Sequence, residues 1–323
     1  MSLVNHVVGH NRQKAILLKA LERGREATSY LFSGESGVGK GLFALEYAKA
    51  VNCLTPKRVE GLLDACDQCS SCRKVSSGNH PDLMVVEPEG DQIKIDQIRE
   101  ITEFLSFSPY EGNKKVVIVR DAERMNQAAS NAFLKTLEEP PDKSLIILVT
   151  ASEESLLETI RSRCFRIKFA PLSKTDTRRV LDGLEEAPKK IPPLFIGRPG
   201  LIAGDDRLSV KELFNTVTND IKKGTISKRW ADRAEADLWL SCLLVLLRDL
   251  VVLSETSDPT ACIGFEGRQA KSLAGKTGSL DFIIDLYQRV NELRKALVFN
   301  LNLSLLSNYI NTCLEELHGK YSS

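Results

Sequence analysis

Apolar residues along the chain fall into two rhythms. Five short runs rich in β-branched residues predict strands: Tyr30-Leu31-Phe32, Leu83-Met84-Val85-Val86, Val116-Val117-Ile118-Val119, Leu145 to Val149, and Phe165-Arg166-Ile167-Lys168-Phe169. Most are continuous rather than alternating, as expected of strands covered on both faces. Between them the spacing changes to three and four, as at Leu42, Leu45 and Ala48 or at Ile95, Ile98, Ile101 and Leu105. Strands separated by such helices predict a parallel sheet with crossover helices, an α/β domain over residues 1–170.

Beyond it the pattern changes. Pro171 and Ser173 open a short segment, 171–206, with one or two small helices and the turn-rich stretches Pro192-Pro193 and Gly197-Arg198-Pro199-Gly200. From about Leu208 the rhythm is helical to the end, with a stripe at Leu303, Leu306, Ile310, Cys313, Leu314 and Leu317. That predicts an all-helical third domain over 207–323, with the Ser-Asp-Pro stretch near residue 258 as a loop. The most apolar run, Leu238 to Leu253, is interrupted by Arg248 and Asp249 and reads as a buried helix rather than a membrane span.

Composition narrows the function. The 44 basic and 43 acidic residues nearly cancel, so the chain lacks the excess that drives autonomous DNA binding, and any DNA contact is expected to be shared with partners. The opening Met-Ser-Leu-Val-Asn-His shows no basic-then-apolar signal pattern, which points to the cytoplasm and turns the eight cysteines away from disulfides.

Four of those cysteines, Cys53, Cys66, Cys69 and Cys72, have the spacing C-x12-C-x2-C-x2-C. Overlapping C-x2-C steps bring thiolates around one tetrahedral ion, and a closed set of four suits structural zinc. An iron–sulfur cluster is the alternative, although the trailing C-x3-C-P is missing. The module is taken as residues 53–79. Cys164, Cys242, Cys262 and Cys313 lack ligand spacing and read as core residues, and His80 is left out because four thiolates suffice.

Gly34-Glu35-Ser36-Gly37-Val38-Gly39-Lys40 stands between the first strand and a helix, the setting in which G-x-x-x-x-G-K wraps phosphates. Gly34, Gly37 and Gly39 would let backbone N–H groups converge on an anion, and Lys40 would reach the terminal phosphates. The next residue is Gly41, where a working loop places the Ser or Thr that holds Mg²⁺. The third strand ends Ile118-Val119-Arg120-Asp121, which puts Arg120 at the position of a Mg²⁺-binding Asp. Shifting the register to give Asp121 that role leaves Ala122 where a water-polarising Glu is needed. A buried cation at that point opposes Mg²⁺, so nucleotide (ATP or ADP) binding can survive but no Mg²⁺ site and no hydrolysis are expected.

Val8-Gly9-His10, the phosphate loop, the four-cysteine module, Asn131-Ala132-Phe133-Leu134-Lys135-Thr136-Leu137-Glu138-Glu139-Pro140-Pro141 and Ser162-Arg163-Cys164 together resemble the clamp-loader AAA+ ATPases. The resemblance is strong over residues 1 to about 170 and weak beyond. It implies a RecA-like AAA+ P-loop domain with an inserted zinc module, a small helical lid domain and a C-terminal all-α collar domain. It also implies that Arg163 is an arginine finger, acting in trans on a neighbour's ATP, a role suited to a permanently charged, forked guanidinium.

Active motors of the family carry a hydroxyl after the loop Lys, an Asp-Glu pair, a Thr-Thr sensor and a lid arginine. This chain has Gly41, Arg120-Asp121, Thr150-Ala151 and a displaced Arg198. Keeping the donor arginine while losing the hydrolytic residues resembles the delta-prime class. The implied partners are the motor (gamma/tau) and delta subunits, the beta sliding clamp, and primed DNA through the complex. A gamma/tau-type motor with unusual Mg²⁺ ligation and a zinc-dependent nucleic-acid-binding module are the competing readings.

Overall fold

The computed structural model describes residues 2–183, 195–203, 210–230, 233–257, 262, 279–297 and 301–317. Pro192-Pro193 and the loop expected near residue 258 lie outside the described residues. The chain packs as two compact units, one formed by Met1–Val180 with Gly197–Gly200, the other by Leu181–Ile196 with Leu201–Ser323.

In the first unit, α1 (Leu3–His6) and α2 (Asn11–Glu22) precede β1 (Ser29–Ser33) and α3 (Lys40–Val51). A small antiparallel hairpin follows, β2 (Lys57–Val59) and β3 (Leu62–Asp64), then α4 (Ser70–Ser76). Its two-residue turn has Glu60 and Gly61 both at positive φ, 50° and 81°, the twist that matches paired strands. The unit continues through β4 (Leu83–Val86), α5 (Ile95–Ser106), β5 (Lys115–Val119), α6 (Gln127–Glu138), β6 (Ser144–Thr150), α7 (Glu158–Arg161), β7 (Phe165–Lys168) and α8 (Lys174–Leu181), and α9 (Gly200–Ala203) starts at its last residue, Gly200.

The five predicted strands form one parallel sheet in the order β4-β5-β6-β1-β7. Every residue of β1, β5 and β6 is buried, the reason these strands read as unbroken apolar runs. One face packs Leu17, Leu18, Phe32, Phe43, Tyr47 and Ile147; the other packs Leu31, Ile98, Ile101, Phe133 and Leu148. The expected inner face of α3 needs correction: Leu42 is 39% exposed, while Phe43, Ala44, Tyr47, Ala48 and Val51 are buried. Sheet and α4 both lean on α3, so even Glu46 and Lys49 are covered, paired to each other at 2.6 Å and, through Lys49, to Asp67 at 2.9 Å.

The second unit has its own core. It is built from α10 (Val210–Lys223), α11 (Arg233–Thr256), α12 (Leu280–Ala296) and α13 (Leu303–Leu317). The Leu238–Leu253 run is the centre of this core, joined by Leu306, Ile310, Cys313, Leu314 and Leu317 of the predicted stripe. Buried Asp220 is satisfied by Trp239 Nε1 at 3.0 Å and the Ser227 amide at 3.0 Å. Arg248 reaches the fully buried Asp249 at 2.7 Å, so the two charges that interrupt the apolar run partner each other. Among the described residues no helix is long and apolar enough to cross a membrane.

One carboxylate ties the crossover before β5 to the sheet. Fully buried Asp82 accepts from the amides of Tyr110 (2.7 Å), Glu111 (2.9 Å) and Gly112 (2.8 Å), with Lys115 at 3.2 Å. Burial alone would raise its pKa, but these donors outweigh it and hold it at about 2. The folded pKa lies below the unfolded value of about 3.9, so the stabilisation is complete above that value and disappears as pH falls through about 2. Asp82→Ala is expected to lower stability by about 3 kcal/mol at pH 7. Denaturant titrations of both proteins should show this gap narrowing between pH 4 and pH 2.

Candidate functional site

The phosphate loop leaves the carboxyl end of β1 and enters α3, with Gly34, Gly37 and Gly39 all at positive φ. At Gly34 a Cβ would stand 2.2 Å from the Phe169 carbonyl oxygen, so glycine is required by close backbone approach as well as by the turn. The loop's carbonyls are fully engaged within the chain. Lys40 Nζ donates to Gly34 O at 2.6 Å and Glu35 O at 2.8 Å, Arg198 Nε to Ser36 O at 3.1 Å, and the Gly200 amide to Gly37 O at 2.8 Å. Arg198 also approaches Glu35 at 3.4 Å, so this arginine lies on the loop itself. Lys40 is 6% exposed, and burial pulls its pKa down to about 8 despite nearby Glu123 and Asp121. His10, from the Val8-Gly9-His10 stretch, meets Val38 O through Nε2 at 2.9 Å and packs edge-on to Phe169.

The two departures from an active loop meet at one point. Arg120 Nε would lie 3.4 Å from a Cβ built on Gly41. A guanidinium therefore occupies the surroundings of the position that would carry the Mg²⁺-holding hydroxyl. The cation is not buried as expected: its side chain is 41% exposed and pairs with Glu87 at 2.6 Å, because β5 ends at Val119 and Arg120 emerges from the sheet. Asp121 follows in the left-handed region at φ 48° and opens a short turn. Glu123 within that turn accepts from the Ala151 amide at 2.9 Å, and burial raises its pKa. Sequence reasoning passed over Glu123, Glu87 and Glu35; their only signal was an acidic residue close to a motif position.

Arg163 lies at the other, amino-terminal end of the neighbouring strand β7. In the parallel register Tyr30 pairs with Phe165 and Ser33 with Lys168. The loop follows Ser33, while Arg163 precedes Phe165, so three residues of strand, about 10 Å, separate the two ends. Its guanidinium donates to Glu138 at 2.5 Å and to Thr159 O at 2.8 Å, with one third of the side chain exposed. Glu138, the last residue of α6, was quoted only as part of a motif, and its partnership with Arg163 was not foreseen.

Cys53 follows α3, Cys66 follows the hairpin, Cys69 caps α4 and Cys72 lies within it. Their sulfurs lie within 4.8 Å of one another, with 4.0 Å from Cys53 to Cys69 and 3.9 Å from Cys66 to Cys72. A tetrahedral ion with metal–sulfur bonds of about 2.3 Å needs sulfurs about 3.8 Å apart, so the four fit a metal. The amides of Cys66 and Cys69 point at Cys53 Sγ and Cys66 Sγ, both at 3.3 Å, an arrangement that favours thiolates. His80 is taken up elsewhere: the Asp82 amide donates to Nδ1 at 3.1 Å, which leaves Nε2 to donate to Ser71 Oγ at 3.0 Å. Cys164, Cys242, Cys262 and Cys313 are buried.

A family profile described as DNA polymerase III, delta subunit, matches residues 9–173. The DNA polymerase III subunit delta' of Bacillus subtilis is 40% identical over 161 residues, 50% of this chain and 47% of that protein. The delta' subunit of Pseudomonas aeruginosa is 32% identical over 245 residues, 73% of each. Subunit tau/gamma of Haemophilus influenzae is 33% identical over 170 residues, 52% of this chain and 24% of that protein. The chain thus spans about half the length of the Bacillus relative and about three quarters of the Pseudomonas one.

If the four sulfurs share one ion, chelation should loosen the hairpin and α4 first. Hydrogen exchange is expected to show residues 53–79 losing protection while β1, β5 and β6 keep theirs. Equal protection with and without chelator would remove the metal from the account.

Proposed function

Because the chain belongs to the delta-prime family of DNA polymerase III clamp-loader subunits, we propose that it helps load the beta sliding clamp onto primed DNA without hydrolysing ATP itself. Its part in hydrolysis is to donate Arg163, as an arginine finger, to the ATP site of a neighbouring motor subunit. The observation that carries this reading is the sheet register. Arg163 and the chain's own phosphate loop stand at opposite ends of the neighbouring strands β7 and β1, which supports this arginine serving a partner's nucleotide rather than its own.

The rest of the site supports the same division of labour. Gly41 offers no hydroxyl to Mg²⁺, and the neighbouring Arg120 adds a positive charge where a divalent cation would need negative ones. The loop keeps its glycines and Lys40, so binding of ATP or ADP survives as a possibility of the fold, conditional on Lys40 leaving Gly34 O and Glu35 O for phosphate. Arg163 is held by Glu138 in the single chain, and engaging a partner's γ-phosphate means exchanging that carboxylate for phosphate oxygens.

In this account residues 171–206 serve as a small lid domain, and 207–323 as a collar that assembles with motor (gamma/tau) and delta subunits in the cytoplasm. Zinc, held by Cys53, Cys66, Cys69 and Cys72, stiffens the inserted module. Four thiolates close its coordination and leave no open position for chemistry.

Arg163→Ala is expected to leave assembly intact and to lower ATP turnover by the adjacent motor by about 10³–10⁵-fold, equivalent to about 4–7 kcal/mol of transition-state stabilisation. Steady-state phosphate release by the reconstituted complex with clamp and primed DNA measures this. Unchanged turnover would withdraw the finger assignment.

A further inference from the structure

The outer face of α2 carries a row of exposed cations away from the phosphate loop. Arg12, Ile16, Lys19 and Arg23 follow one another at helical spacings of four, three and four, about 16 Å along the axis. Arg25 joins them because the helix ends in a tight reversal. Gly24 takes φ 59°, its amide donates to Leu21 O at 3.1 Å, and the Arg25 amide returns to Ala20 O at 2.9 Å. The four cations rim a groove of about 430 Å³, floored in part by Ile16 and Ala20.

Among the described residues none of the four cations forms an ion pair. The carboxylates beside them are committed elsewhere: Glu22 to Arg58, and Glu26 to Lys114 at 2.6 Å. The helix alone explains only part of the row. Its carboxyl end favours Arg23 and Arg25, but Arg12 stands in a first turn with no acidic residue, where the dipole opposes a cation. Lys19 and Arg23, four residues apart, repel each other. A polyanion would turn these costs into attraction.

We propose that this stripe binds the sugar–phosphate backbone of the DNA on which the complex acts, a site that rests on the clamp-loader reading for the choice of polymer. The groove contains no aromatic residue on which bases could stack, so its contacts are to phosphates and independent of sequence. Its one partly exposed branched side chain, Ile16, offers little to the apolar face of an acidic amphipathic helix, which favours nucleic acid over an acidic protein segment. The near-neutral charge of the whole chain makes the site an auxiliary one, weak alone and effective when added to contacts of other subunits.

The test is fluorescence anisotropy of a labelled oligo-dT strand and a labelled primed duplex with the full chain, from low to rising salt. The variants are Arg12→Gln/Lys19→Gln/Arg23→Gln and Lys19→Glu/Arg23→Glu, with thermal unfolding to confirm that both are folded. The neutral triple variant is expected to bind at least about tenfold more weakly. Its slope of log affinity against log salt should flatten by about 2 on single strands, since each phosphate contact contributes about 0.7. Absence of binding by the wild-type chain at low salt, or a slope unchanged in both variants, overturns the proposal. So does competition by polyglutamate equal to that by unlabelled DNA, which would mark the groove as a surface for acidic protein. Arg163 is untouched in these proteins, so failure of the stripe and failure of the trans-acting arginine are read out separately.

Discussion

The parallel pairing of β1 with β6 and β7 is the constraint on which the functional geometry depends. In this register β1, β5 and β6 bring the phosphate loop, Arg120 and Thr150 to the carboxyl end of the sheet. The same register leaves Arg163, at the turn before β7, at the opposite, amino-terminal end of the strands. Burial on both faces makes this arrangement hard to slip, because a shift of register would move fully covered apolar residues out of two packed layers at once. The glycine-rich loop and Arg163 are thus held at opposite ends of two neighbouring strands of one sheet.

Gly41 and Arg120 are also physically linked. Glycine at position 41 leaves space that the Arg120 side chain approaches, so the missing hydroxyl and the added cation are two sides of one contact. Lys40 and Arg198, which would be free to meet phosphate, instead satisfy the carbonyls of Gly34, Glu35 and Ser36. The loop also has a structural role, because it joins the 197–200 segment to the residues before α3 through the Gly200 amide and Gly37 O.

Much of this was legible in the chain. Strands buried on both faces announce themselves as unbroken apolar runs, which is why all five were located, and the cysteine spacing alone brought four sulfurs into one cluster. The inner face of α3 was misjudged at Leu42 because a helix covered from two sides loses its simple three-four rhythm. The hairpin at 57–64 is too short to carry an alternating signature, and Glu60-Gly61 alone marked its turn. The pairings of Arg163 with Glu138, Arg120 with Glu87 and Arg198 with Glu35 join residues 25, 33 and 163 positions apart. No local pattern encodes contacts of that range; they arise only once the sheet has been closed.

The most direct test of a hydrolytically silent subunit is steady-state phosphate release from Mg²⁺-ATP by the purified chain alone, beside a Lys40→Ala control. The account predicts no turnover above the control, since neither Gly41 nor Arg120 can hold the metal. Turnover that Lys40→Ala abolishes would contradict it, and would make this chain a motor whose Mg²⁺ is held by other residues.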